Sequence, residues 1–406
     1  DLDLYLIDVG VIGREYYRFS SADPRFTSDL LGQAGVLDNN SFFTTRPWAA
    51  RYAAIRNACT LLQALEVTTE PLSDASKAAA RGFANTWIAH QLLLNLNLTY
   101  DNGIRIDVCP LGETPPVVSP ADAAYAELAR ILDEAAADLQ AAGEAEFFFP
   151  VLMTPGGGGR FDTPAEFLEF NRAVAARVAV YRENWQEALD LLDGSFLDRA
   201  LASADPLEFG AYHLFSTSAG DLTNPFFIDP QNPTGDALIV QPDFINDAAE
   251  EDQRVFEEDE GVEDVADPVV QFRVNDEGEP NPATLDDLTG SYGVFRYESN
   301  TAPIPIIRGA ELILIRAEAH IQEGEFEDAI EDLNRIRNAA GLDDYDGDET
   351  EAALLDELLR QRRYELYAEG HRWIDVRRYG RLDELPLDRP GDEVFTQFPI
   401  PRNENV

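Results

Sequence analysis

Side chains that could perform catalysis are sparse in this 406-residue chain, and they are not grouped. His90, His213, His320 and His371 are scattered, with no His-Glu-x-x-His helix and no Cys-x-x-Cys pair to hold a metal. No Gly-x-Ser-x-Gly elbow presents a nucleophile, and the glycine run 156–159 lacks the Lys-Ser/Thr step of a phosphate loop. Asp343-Asp-Tyr-Asp-Gly-Asp-Glu349 has the oxygen density of a calcium loop but not its register. With Gly347 as the turn glycine, Leu342 falls on the first ligand position and Ala353 on the terminal glutamate. It reads as a solvated interhelix loop. Carboxylate pairs of the glycosidase kind carry no weight, because 76 acids supply such pairs by chance. These residues imply no cofactor, no metal and no catalytic group.

Aromatic side chains offer a different chemistry. A ring outside the helical cores gives a flat apolar surface for the C–H face of a sugar, with neighbouring polar groups for its hydroxyls. Phe42, Phe43 and Trp48 follow Asp38-Asn39-Asn40 at the mouth of the first long helix. Tyr212, Phe226, Tyr292 and Tyr297, with Phe227 and Phe295, punctuate a later irregular stretch. The ligand-contact candidates are therefore Phe42, Phe43, Trp48, Tyr212, Phe226, Tyr292 and Tyr297, core packing being the competing role for each. Trp87, Trp185 and Trp373 are assigned to helix packing.

Helices must position these rings. Residues from about Trp48 to Leu98 read as two long helices, the second running from Ala75 through Phe83, Trp87 and Leu92. Ser119-Pro120 places an N-cap and a first-turn proline before a third helix that Gly143 closes. The glycine run 156–159 reads as a flexible joint, and Thr163-Pro-Ala-Glu166 as a capping box. Ala176, Ala179, Trp185, Ala188 and Leu192 recur as Ala317, His320, Phe326, Ala329 and Leu333, with Gly324 at the second turn where the first has Glu183. That spacing is a tetratricopeptide repeat: small residues let paired helices approach and the aromatic plugs the corner. Ten prolines between Pro206 and Pro305 forbid long helices over 204–305. This stretch reads as an irregular lobe with short strands at 237–240 and 292–297, its acidic patch from Glu250 to Glu260 a solvated face.

Asp plus Glu number 76 against 31 Lys plus Arg, a net charge of −45, and Lys77 is the sole lysine. Such a polyanion is repelled by nucleic acid and anionic headgroups. Near-total loss of lysine points to adaptation to concentrated salt, where screening hides self-repulsion. No apolar run reaches the roughly 18–20 residues of a membrane span. Neither a leader nor a lipidation cysteine stands near Asp1, so the chain reads as a mature or trimmed product. Cys59 and Cys109 flank apolar helical pattern, where a small buried thiol is the default; one disulfide stays open for an exported protein.

The densest pattern is Arg360-Gln-Arg-Arg-Tyr-Glu-Leu-Tyr-Ala-Glu-Gly-His-Arg-Trp-Ile-Asp-Val-Arg-Arg-Tyr-Gly380. Glu365 and Glu369 stand four apart, and Arg362 and Arg372 each three residues from one of them, which predicts a helix–turn–helix corner locked by those ion pairs. Gly370 supplies the turn. Arg362, Arg363, Glu365, Leu366, Glu369, Gly370, Arg372 and Asp375 resemble the C-terminal signature of the SusD/RagB family, with Gln361 in place of its first Glu. Arg308-Gly-Ala-Glu-Leu-Ile-Leu-Ile-Arg-Ala-Glu-Ala319 and Phe398-Pro-Ile-Pro401 are similar to two further elements of that family.

The resemblance implies a mainly α fold: one domain over 1–406, with a tetratricopeptide-like αα superhelix over 45–200 and 306–385 and a ligand-facing loop-rich lobe at 204–305. It also implies a lipid-anchored outer-membrane protein on the extracellular face, its anchor absent from these residues. Such a protein captures oligosaccharide and hands it to a partner SusC-like TonB-dependent transporter, with no bond made or broken. Peptide capture in the same role, or a tetratricopeptide scaffold for protein partners, are the rival readings.

Overall fold

The computed structural model describes residues 2–109, 112, 114–157, 160–256 and 268–404. The acidic patch from Glu257 onward and the end of the glycine run lie outside the described residues. In chain order the elements begin with α1 (Leu2–Ile12), β1 (Tyr16–Phe19), α2 (Arg25–Ser28), α3 (Phe42–Val67) and α4 (Asp74–Thr99). There follow β2 (Ile104–Arg105), β3 (Val117–Val118), α5 (Ala121–Ala142), α6 (Pro164–Tyr181), α7 (Trp185–Asp193), α8 (Leu197–Leu201) and β4 (Gly210–His213). The irregular stretch holds β5 (Ala237–Val240), α9 (Pro242–Asn246), β6 (Val270–Phe272), β7 (Ala283–Leu285), β8 (Leu288–Gly290) and β9 (Tyr292–Val294). The chain closes with β10 (Ile304–Arg308), α10 (Gly309–Glu323), α11 (Phe326–Ala339), α12 (Glu351–Glu365) and α13 (Arg372–Arg378). The fold is mainly α, with tetratricopeptide-like helices.

These elements form two compact units. The helical unit comprises Asn39–Leu214, Pro305–Glu325 and Gln397–Val406. Within it α3, α4, α5, α6 and α7 each pack on the next, and α10 packs on both α6 and α7. Local chemistry starts the helices as expected: Ser73 accepts the Ser76 amide at 3.0 Å, and Thr163 accepts that of Glu166 at 3.3 Å. Ser119-Pro120 differs. This peptide is cis and extended Pro120 itself stands at the N-cap of α5, so Ser119 does not cap the helix.

Gly82 lets α4 and α5 close together, since a Cβ there would stand 2.5 Å from Leu139 Cγ. The first repeat is the α6–α7 pair, turned by Glu183 at φ 57°, and Gly324 ends α10 with φ 80°. Between α6 and α10, buried Arg177 forks onto Glu311 at 2.5 and 2.6 Å and donates to the Ile306 carbonyl at 2.8 Å. Cys59 and Cys109 form a disulfide with Cα atoms 5.0 Å apart, which overturns the buried-thiol default. The bond ties α3 to the segment following β2.

The mixed unit comprises Asp1–Asp38, Phe215–Ile304 and Phe326–Thr396. Its sheet has the order β1-β5-β9-β6 with antiparallel neighbours, Tyr16 standing opposite Val240 and Phe272 opposite Tyr292. α1 is apolar almost all round and buried, as a helix lacking a polar face must be. It packs on α13, while α12 packs on α11 and α13.

Candidate functional site

The signature segment is built from charge, and the pairing differs from the expected one. α12 ends at Glu365, and Ala368 and Gly370 then take left-handed φ values of 59° and 86°. Glu369 therefore shares no helix face with Glu365. Its carboxylate receives Arg296 Nε at 3.2 Å and Nη2 at 3.1 Å, and Glu365 receives Arg254 at 3.5 Å. Arg362 passes over the turn to Asp375, with Nε–Oδ2 at 2.7 Å and Nη2–Oδ1 at 3.1 Å, both side chains buried. Among the described residues Arg372 pairs with no carboxylate. Glu365 and Glu369 thus receive arginines from residues 254 and 296, and Glu369, beyond the end of α12, has left the helical register in which Arg372 was expected to pair with it.

Beside this corner Glu15 is fully enclosed. It accepts the Ala368 amide at 3.0 Å, and the Tyr367 hydroxyl donates to its main-chain carbonyl at 3.2 Å. Burial raises its carboxyl to about 7, against the lowering effect of that amide and of Arg372. The arrangement is a structural lock: among the described residues it presents no open nucleophile. In the helical unit, burial likewise lowers His213 to about 4 and holds His90 well below the ordinary range, so both are neutral rings.

The candidate rings divide by burial. Phe43, Trp48 and Tyr212 of the helical unit are buried, as are Phe226 and Tyr297 of the mixed unit. Trp48 meets Tyr52 in a tilted contact at 4.8 Å, Tyr212 donates its hydroxyl to Glu208, and Phe226 lies between Tyr16 and Tyr297. Packed this way, they have no free face for a sugar. Phe226 and Tyr297 are buried because the irregular stretch owns a sheet and a core that they fill, while Phe43 and Trp48 are buried on α3 and Tyr212 on β4 of the helical unit. Phe42 and Tyr292 alone of the seven keep partial exposure.

Other rings take the surface. Phe272, 41% exposed, meets Tyr292 edge-on at 5.2 Å across the β6–β9 pair. Gln231 buttresses that strand by donating to the Phe272 carbonyl at 2.9 Å and accepting from the Val274 amide at 2.9 Å. On the helical unit Phe83, Phe147 and Phe149 cluster with centroids 4.9 to 5.7 Å apart, and Phe148 beside them is 49% exposed. The period-2 alternation at Phe272 and the Phe147-Phe-Phe149 run were the available sequence signals.

A cavity of about 410 Å³ also opens in the helical unit, lined by Tyr52, Ile55, Arg56, Arg105, Thr114 and Glu404 among others.

The helical unit therefore carries the stacked helices, and the mixed unit carries the salt-bridged C-terminal corner. Residues 290–400 match the model of the SusD family. A SusD-like protein of Formosa agariphila is 31% identical over 133 residues, about a quarter of either chain (24% of this one, 26% of the relative). Among solved structures, a SusD superfamily protein of Parabacteroides distasonis aligns with TM-score 0.69 at 16% identity, covering 98% of this chain and 90% of that one. Surface glycan-binding protein A of Bacteroides thetaiotaomicron, in complex with laminarihexaose, aligns with TM-score 0.66 at 15% identity, covering 98% and 91%. The same-named protein of Bacteroides uniformis gives 0.65 at 16%, covering 97% and 88%. The chain thus resembles SusD proteins in sequence over its C-terminal quarter and in fold over nearly its whole length.

Proposed function

We propose that the protein is a nutrient-binding protein of the outer-membrane surface that captures oligosaccharide for import through a partner SusC-like TonB-dependent transporter. The observation that carries this reading is the near full-length likeness to a glycan-binding chain solved with laminarihexaose. Exposed Phe272 and partly exposed Tyr292 each offer an apolar ring face of the kind that stacks on a sugar, and Phe42 offers a further partly open ring. Neutral buried histidines and ion-paired carboxylates fit capture without turnover.

Calorimetric titration with laminarihexaose and a panel of neutral oligosaccharides tests the reading. Saturable binding without hydrolysis, weakened at least about tenfold by Tyr292→Ala with unchanged Tm, is the expected result. Binding confined to peptides, or steady turnover abolished by one carboxylate substitution, would overturn it.

A further inference from the structure

The cavity beside α3 falls in the size range of small-ligand sites, roughly 300–1,000 Å³. Tyr52, Ile55 and Arg56 reach it from α3, Arg105 from β2 and Glu404 from the C-terminal segment. Its wall is held covalently, because Cys59 stands one helical turn beyond Arg56 and bonds Cys109, the neighbour of the lining residue Val108. Two of its polar groups are already engaged. The Tyr52 hydroxyl donates to the Arg105 carbonyl and accepts the Arg105 amide, both at 2.8 Å. The Arg105 guanidinium reaches the Glu404 carboxylate through Nε at 3.2 Å and the Pro115 carbonyl through Nη1.

Arg56 is different. It is exposed, lines the cavity, and among the described residues its guanidinium pairs with no carboxylate. In a chain with 76 acids and 31 bases, a guanidinium that no acid among the described residues has claimed is a position open to a negative ligand group. Its planar fork matches the paired oxygens of a carboxylate or a sulfate ester. We infer that this cavity binds the anionic substituent of an acidic sugar residue, Arg56 taking the charge while Tyr52 and Ile55 cover the apolar ring face. The inference rests on the glycan-capture reading and names the ligand class of one site on the helical unit. The chain's net −45 repels an anion at long range, but screening confines that field to about 8 Å at physiological salt, leaving the contact fork effective.

Saturation-transfer NMR and calorimetry with glucuronate, galacturonate and galactose sulfate, against glucose and galactose, test it. At least one anionic sugar should bind about tenfold or more tightly than its neutral parent, uronate preference assigning a carboxylate and sulfate preference an ester. Arg56→Gln should abolish that preference with Tm unchanged. Arg130→Gln, which removes the same charge from an exposed position on α5, should retain it. Equal or weaker binding of every anionic sugar would overturn the inference, as would equal losses in the two variants. Neutral oligosaccharides titrated into the same sample separate the levels: their retained binding leaves the wider reading intact, and binding of no glycan at all removes both.

Discussion

Two buried carboxylates of the mixed unit respond to pH with opposite signs. Glu15, raised by burial from 4.5 to about 7, holds a proton in the folded chain that the unfolded chain has already released. Its contribution to stability is complete below about pH 4.5 and is lost as pH rises through 7. Glu15→Gln keeps the oxygen that accepts the Ala368 amide and removes the charge, so at pH 8 it should stabilise by about 3 kcal/mol, read from denaturant melts. A variant no more stable than the parent at pH 8 would refute this assignment. For Asp375, burial pushes the carboxyl up, yet Arg362 and Arg378 outweigh burial and hold it below 3.8. Its contribution is present above the unfolded value and lost as pH falls. Arg362→Ala leaves the buried carboxylate short of its forked partner, with an expected cost of about 3–5 kcal/mol. Ligand affinity of the folded fraction should stay unchanged, because the corner is a lock. Native stability with lost binding would move the site there.

At the scale of elements, the Cys59–Cys109 bond closes a separation of 50 residues, for which loop entropy gives about 4 kcal/mol. Replacing both cysteines by serine should lower Tm accordingly, and an unchanged Tm in oxidising buffer would show that the bond contributes nothing. Helices announced themselves through local signals: Thr163 capping α6, small residues at the repeat positions, and the apolar period of α4 and α5. Strand pairing did not. β1 joins β5 across more than two hundred residues, and no local pattern records such a partner. That sheet gives the irregular stretch a core, and Phe226 and Tyr297, legible only as rings among prolines, fill it. The arginine partners of Glu365 and Glu369 were hidden for the same reason, arriving from residues 254 and 296. Arg56 carried no sequence signal at all, since its place on the cavity wall and its lack of a carboxylate partner among the described residues are set by tertiary structure.

For the whole molecule, charge governs stability. Acids exceed bases more than twofold, 76 against 31, and many basic groups sit in the ion pairs already described. The surplus carboxylates repel one another in the compact state and separate when the chain unfolds, so low ionic strength favours unfolding. Raising salt from about 0.1 M to about 1 M shortens the screening length from about 10 Å to about 3 Å. Repulsion between exposed acids is then largely removed. Exposed pairs such as Arg130 with Glu127 and Glu134 weaken as well, but each contributes only about 0.3–0.5 kcal/mol. The buried pairs Arg177–Glu311 and Arg362–Asp375 are shielded from solvent and change little. Relief of repulsion therefore outweighs the losses, and Tm should climb steeply across that range in sodium or potassium chloride. Scanning calorimetry at fixed pH measures it directly. A flat or falling Tm would mean that bound cations or local pairing already neutralise the acids, and the inference of adaptation to concentrated salt would fail with it.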